Sequence, residues 1–507
     1  MKRLWAAMAM VSCASVSPKP EAQQEPQARI GDAGNATPQA TPDSSFRAQP
    51  PSPGPPVEFR APVPAQLLLK NGLPVFLIER HDVPLIAIDL ALRSGADTEP
   101  VGKAGLASLA LDLLDEGTPS RDAAAIARAF EDLGARYAAA AEADSSRVSV
   151  TTLSDTLDPV LEIFADVALN AQFRNADVER VRVERLGQIA QTLDDPQSVG
   201  QHVLSRVIFG EKHPWGYPGE GTARSVKAIS RQDLVAWHRA WFQPSNAALF
   251  VVGDTNAAAL LPLLEKRFTS WKNGKQPPAV RSRRAKAATR VVTLVDKPGA
   301  PQSQIWIGEV GVSAAAADIF PVRVMNNILG GSFNSRLNGN LRTEHAYSYG
   351  VFSFYDVHRE AGPFVAAGGV VSEKTADALG EFMRELSRMK SGEVSEPELA
   401  DAKEALIRAI PALFASNDQT AGAYARAWSH GLPLDYYATY QQRVHSVTKD
   451  DVARAARERL HPQNMAIVVV GPSALIAQRL EALKLGRIEL RDAEGEASKA
   501  VSAAAGR

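Results

Sequence analysis

The sequence predicts an α+β fold made of two homologous domains, each a mixed, mostly antiparallel sheet covered by helices. Three observations carry this. The chain has 507 residues, more than one hydrophobic core usually serves, so about two to four domains are expected. A segment near the end of each half is repeated without gaps. In the first half, apolar runs of strand length alternate with runs of helical period, the layout of a sheet covered by helices.

The repeat is the strongest of the three, because self-similarity at a fixed spacing marks duplicated architecture. Ser230 to Gly253 aligns on Thr448 to Gly471 at a constant offset of 218. Asp233 matches Asp451, Arg239 matches Arg457, Pro244 matches Pro462 and Asn246 matches Asn464. Val251-Val252-Gly253 matches Val469-Val470-Gly471. Each copy predicts a helix, a Pro/Asn turn and an apolar strand ending in Gly. Ahead of the first copy, Val75 to Glu79 and Leu85 to Arg93 predict strands, and Gly105 to Leu114 a helix. Ser120 is the expected N-cap of a helix with Ile126, Phe130 and Leu133 on one face and Gly134 as its stop. Arg136 to Ala141 and Arg147 to Leu153, parted by Asp144-Ser145-Ser146, predict a hairpin, and helices follow from about Leu157 and Asn175.

Composition narrows the function classes. Lys+Arg of 56 against Asp+Glu of 57 leaves a net charge of -1, which offers no global attraction to nucleic acid or anionic lipid. A single cysteine excludes an internal disulfide framework and any Cys-based zinc site. That residue, Cys13, closes a segment in which Lys2 and Arg3 precede the apolar run Leu4 to Val11, the layout of an export signal. Met10-Val11-Ser12-Cys13 resembles a bacterial lipobox, with Met where Leu is usual. Residues 1–13 therefore predict export to the periplasm with a lipid on Cys13; an ordinary signal with an incidental Cys is the alternative. No stretch reaches the ~18 apolar residues of a spanning helix, so membrane attachment is expected only through lipid. Residues 14–63, rich in Pro, Gln and Ala, predict a disordered tether, 272–290 a linker and 494–507 a disordered tail. The two domains are expected at 64–271 and 291–493.

Gly105 to Thr118 (Gly-Leu-Ala-Ser-Leu-Ala-Leu-Asp-Leu-Leu-Asp-Glu-Gly-Thr) resembles the segment in which the pitrilysin/insulinase family of zinc metallopeptidases carries His-x-x-Glu-His. In that motif two histidines on one helix face bind zinc, and the Glu activates the metal-bound water. This chain has Ser108, Leu111 and Asp112 at those places. The family's third ligand, a Glu, corresponds to Gln188 in Gln188-Ile-Ala-Gln-Thr-Leu-Asp-Asp-Pro196. One carboxylate does not hold catalytic zinc, which takes three protein ligands, so no metal is expected in this chain's own site. A slipped alignment does not help: the nine histidines are never closer than 11 residues, so no helix carries a pair at ligand spacing.

The second half holds Leu329-Gly-Gly-Ser-Phe-Asn-Ser-Arg-Leu337 and Leu341-Arg-Thr-Glu-His-Ala-Tyr-Ser-Tyr-Gly-Val351, similar to the family's second-domain signature. The resemblance implies that Arg342 and Tyr349, seven apart, reach the zinc-bearing site, hold substrate backbone and steady the oxyanion, for which a planar guanidinium and a phenol are suited donors. Read without the family, Arg342 caps a helix or pairs with a carboxylate, and Tyr349 packs in the sheet. Gly330 and Gly331 predict a tight turn after a helix from Ile319 to Leu329. Arg136 to Ala141, with four alanines in a row, is the expected edge to which a peptide adds as a strand. The resemblance thus implies a non-catalytic subunit that binds peptides and lends Arg342 and Tyr349 to a zinc-bearing partner of the same family. Zinc is then expected in the partner and not in this chain. The alternative is a peptide-binding or scaffolding protein, like the family's core subunits in a respiratory complex.

Overall fold

The computed structural model describes residues 59–275 and 290–498. Cys13 and its export segment, most of the expected tether and linker, and the tail beyond 498 lie outside them. Two six-stranded sheets organise the rest. The first contains β1 (Ala65–Leu68), β2 (Pro74–Glu79), β3 (Leu85–Leu92), β4 (Arg136–Ala141), β5 (Ser146–Leu153) and β6 (Ala247–Gly253), in the order β1-β2-β6-β3-β5-β4. The second contains β7 (Val291–Asp296), β8 (Gln302–Val310), β9 (Val351–Tyr355), β10 (Pro363–Val371), β11 (Ala466–Gly471) and β12 (Arg487–Arg491), in the order β12-β7-β11-β8-β10-β9.

The duplication seen in sequence is a duplication of topology. The repeat's strand lies third in both sheets, parallel to β2 or β7 on one side and antiparallel to β3 or β8 on the other. The repeat's helices, Arg231–Trp241 and Lys449–Arg459, begin with equivalent capping boxes. The Ser230 hydroxyl accepts from Asp233 N at 3.2 Å while the Asp233 carboxylate accepts from Ser230 N at 2.7 Å. Thr448 and Asp451 do the same at 3.2 and 3.0 Å, each box satisfying two otherwise orphaned helix donors.

The helices of the first domain used below are α1 (Leu106–Asp112), α2 (Ala123–Asp132), α3 (Leu157–Asn170), α4 (Asn175–Thr192) and α5 (Pro196–Phe209). Every residue of β6 is buried, because both sheet faces are covered. Leu249 and Val251 join Leu77 and Ile88 in a core with Leu109 of α1 and Phe164 of α3. On the opposite face Ala248, Phe250 and Val252 join Phe76 and Ile78 against Tyr424 and Ala425. Those two residues belong to the helix Asn417–Ser429 of the second domain. The exchange is mutual: Val199, Val203, Leu204 and Ile208 of α5 pack on Trp306, Val365, Val468 and Val470 of the second sheet. Each sheet is thus closed on one face by a helix from the other domain.

Several local expectations are corrected. Ser120 does not cap α2; Asp122 does, its side chain accepting from Ala125 N at 2.8 Å. Ser120 instead donates to Asp166 at 2.9 Å. The helix from Ile319 ends at Asn326 and continues as a wider helical turn through Gly331. Gly330 is needed for close approach rather than for a turn: a Cβ there would stand 2.6 Å from Ser353 N of β9. The tether's last residues are packed, Phe59 lying 5.2 Å from Phe414 with Ala61 buried. The first residues of the tail are held too, since Glu496 meets Arg206 of α5 at 2.8 Å.

Candidate functional site

The short helix α1 carries the positions at which the family's ligands would stand. Its N-terminus is fixed by Glu99, a buried carboxyl that accepts from Gly105 N at 3.1 Å and Ala107 N at 2.9 Å. Desolvation outweighs those donors and pushes this carboxyl up to about 8. Leu111 is fully buried in the core of the first domain. Ser108 and Asp112, four apart, share a face as helical geometry requires. Both turn toward α4.

What meets them there is Arg185. Its guanidinium pairs with Asp112, donates to Ser108 Oγ at 2.9 Å and to the Glu220 carbonyl at 3.1 Å, and is 7% exposed. Ser108 in turn donates to the Gly219 carbonyl at 2.7 Å. The reason lies in the register of α4, whose buried stripe is Val178, Val181, Arg182, Arg185 and Ile189. Arg185 falls on that stripe and Gln188 falls off it, exposed. From α4 it is thus Arg185 that meets Ser108 and Asp112, while Gln188 lies one turn further on. A fixed cation between the two ligand positions, with no donor on Leu111, does not fit a zinc ion. Sequence reading missed Arg185, although a charged residue on an apolar helical stripe is a readable signal, since it needs a buried partner.

The second domain presents its pair differently. Arg342 lies in the helical turn Gly339–Glu344, with its guanidinium carbon 4.0 Å from the centre of the Phe333 ring. Among the described residues it makes no ion pair, in contrast to Arg336, which grips Glu398 at 2.7 Å. Arg336 and the Ser395 cap hold that carboxyl down to about 2. Tyr349 stands in the loop ahead of β9 and is 89% exposed. Tyr349 is therefore not packed in the sheet, and Arg342 is without a carboxylate partner among the described residues. The loop is well supported: Asn338 donates to the Val351 carbonyl at 2.8 Å and accepts from Val351 N at 3.0 Å. Asn340 donates to Glu381 and Glu385, both at 2.9 Å.

The expected peptide-binding strand β4 is the edge of the first sheet, paired on one side with β5 only. It packs beside α1. Its residues alternate between exposed and half-buried, with Tyr137 stacked on Phe130 at 5.3 Å.

This geometry agrees with what the chain is similar to. A family profile described as Insulinase (Peptidase family M16) matches residues 75–214, and one described as Peptidase M16 inactive domain matches residues 228–406. The uncharacterized zinc protease YmxG of Bacillus subtilis is 21% identical over 406 residues, 80% of this chain and 97% of its own length. An uncharacterized zinc protease of Mycobacterium tuberculosis is 26% identical over 413 residues, 81% and 93% of the two lengths. Among solved structures, a peptidase M16 inactive domain from Pseudomonas fluorescens superposes with a TM-score of 0.75 at 24% identity, covering 81% of this chain and 98% of that one. A chain of complex III2 from Candida albicans superposes with a TM-score of 0.68 at 16% identity, covering 82% and 99%. With both domains matched and the zinc positions taken by Ser108, Leu111, Asp112 and an inserted guanidinium, the chain belongs to the insulinase family of peptidases, family M16, as a member without the His-x-x-Glu-His motif.

Proposed function

We propose that this chain is the non-catalytic subunit of a pitrilysin-type zinc peptidase, binding peptides and contributing Arg342 and Tyr349 to the active site of a zinc-bearing partner subunit. The observation that carries the reading is the contrast between the two sites. At α1 the polar groups are spent on one another through Arg185, whereas Tyr349 is open to solvent and Arg342 rests on an exposed aromatic ring. A guanidinium held without a carboxylate keeps its donors for a substrate carbonyl or oxyanion, and the Tyr349 phenol adds another. Backbone of a bound peptide would pair with the free edge of β4. Metal and general base come from the partner.

Peptide hydrolysis tests this, measured for the chain alone, for its candidate zinc-bearing partner alone and for the mixture. Activity in the mixture, lowered by Arg342→Ala or Tyr349→Phe with kcat falling more than KM rises, supports the shared site. Metal-dependent hydrolysis by this chain alone would overturn it. A scaffolding role without proteolysis is the second reading, favoured by the likeness to a chain of complex III2; no hydrolysis in any mixture would move the weight there. The sequence of residues 1–13 supports export to the periplasm and a lipid on Cys13. Release of the chain from the membrane fraction by Cys13→Ser checks it.

A further inference from the structure

Away from α1, three ligand-type side chains from distant segments converge in the interior. Asp144 sits at the tip of the β4–β5 hairpin, His358 follows β9, and His430 caps the helix Asn417–Ser429. They are 1%, 8% and 8% exposed. One donor atom of each lies within 4.8 Å of the others. Asp144 Oδ1 is 3.8 Å from His358 Nδ1 and 3.9 Å from His430 Nε2. These separations are too long for hydrogen bonds. They are close to the edges of a coordination shell, since ligands about 2.0–2.2 Å from a tetrahedral zinc stand roughly 3.3–3.6 Å apart.

The hydrogen bonding around the cluster leaves its centre unserved. Asp144 Oδ2 accepts from Arg359 N at 2.6 Å, but Oδ1 is buried with no hydrogen-bond partner. Such an oxygen is costly unless something cationic reaches it. His358 Nε2 faces Asp356 at 3.2 Å. With a proton held there, the Nδ1 lone pair is free to meet a cation beside Asp144 Oδ1. A carboxylate behind a histidine is also the usual second partner of a metal-bound imidazole. Arg359 is itself engaged, pairing with Asp97 at 2.7 Å as well as with Asp144. The two histidines line a cavity of about 550 Å³ together with Glu142, Asp356 and Arg426.

We infer that Asp144, His358 and His430 form a binding site for a divalent transition metal of the zinc class, joining the first domain's hairpin to the second domain and facing the cavity. Two imidazoles and one carboxylate are a donor set suited to zinc. The site is independent of the family's zinc position and of the peptidase reading above. It was invisible to a search for helical His pairs because its ligands come from three separate loops and caps.

The test is zinc titration of the full chain after chelator stripping, read against a chromophoric competitor. Saturable binding of one equivalent is expected. It should weaken by a factor of about ten or more in Asp144→Asn and His430→Ala and stay unchanged in Asp112→Asn. Absence of saturable binding by the wild type, or unchanged binding in both ligand variants, would overturn the assignment. So would loss in Asp112→Asn alone. Should the ligand variants not fold, the zinc-edge X-ray absorption of the loaded wild type decides: a shell with two imidazoles supports the site, and any other count refutes it.

Discussion

Restoring the family's ligands at α1 gives the sharpest test of Arg185. The variant Ser108→His, Asp112→His, Gln188→Glu supplies three ligands at the family positions yet keeps the guanidinium, which in the parent chain also donates to the Glu220 carbonyl at 3.1 Å. A zinc ion bound between positions 108 and 112 would stand about 4 Å from that cation. At an effective dielectric of about 20, unit charges at that separation interact by about 4 kcal/mol, so a dication meets about 8 kcal/mol of repulsion. Structural zinc sites bind with about 10–16 kcal/mol, so most of the affinity disappears. Adding Arg185→Leu should recover roughly five to six decades, at about 1.4 kcal/mol each. Competition with a chromophoric chelator reads this as zinc bound in excess of that taken by the parent chain. Equal excess binding with and without Arg185 would refute the argument. The triple variant should also unfold at lower denaturant than the quadruple one, because it retains a buried cation stripped of its carboxylate.

Other consequences can be checked separately. Gly200→Ala on α5 would put a Cβ 2.3 Å from Trp306 Cδ1, in a ring that is 3% exposed. It should cost about 1–3 kcal/mol in chemical denaturation, and a neutral result would contradict the packing of α5 on the second sheet. The Glu99 carboxyl, raised in the folded chain to about 8, contributes stability that is complete below its unfolded value near 4.5 and is lost as pH rises through 8. Between pH 5 and 7.5 the loss should be on the order of 3 kcal/mol, seen as a falling denaturation midpoint whose slope flattens in Glu99→Ala. Tyr349→Phe and Arg342→Ala touch little else, so their unfolding midpoints should match the parent's within about 0.5 kcal/mol. A large loss of stability would mean a packing role.

The fold was legible where a local pattern has a single solution. Strand-length runs gave β2 through β5 nearly to the residue, and the 218-residue offset implied matched sheets. Where two local solutions compete, the reading slipped: Ser120 and Asp122 are both good caps, and the Asp166 carboxylate decides between them by engaging the serine. The apolar faces of α5 and of the helix Asn417–Ser429 are readable, but the sheet each covers is a fact of tertiary structure. At α1 the missing donors are plain from Ser108 and Leu111, whereas the part played by Arg185 depends on the register of α4 against α1, which the family's spacing to Gln188 does not convey. Asp144, His358 and His430 share no element, so no period or spacing links them.

The crossing of α5 and Asn417–Ser429 between the two sheets bears on how such a chain could arise. A half-length ancestor built this way would leave one sheet face bare unless a second copy filled it, so it could persist only as a two-fold dimer that swapped the helix. Duplication and fusion of such a dimer would turn a concentration-dependent assembly into an internal one. Residues 59–275 and 290–498, produced as two separate polypeptides, should accordingly co-elute when expressed together and aggregate when expressed apart.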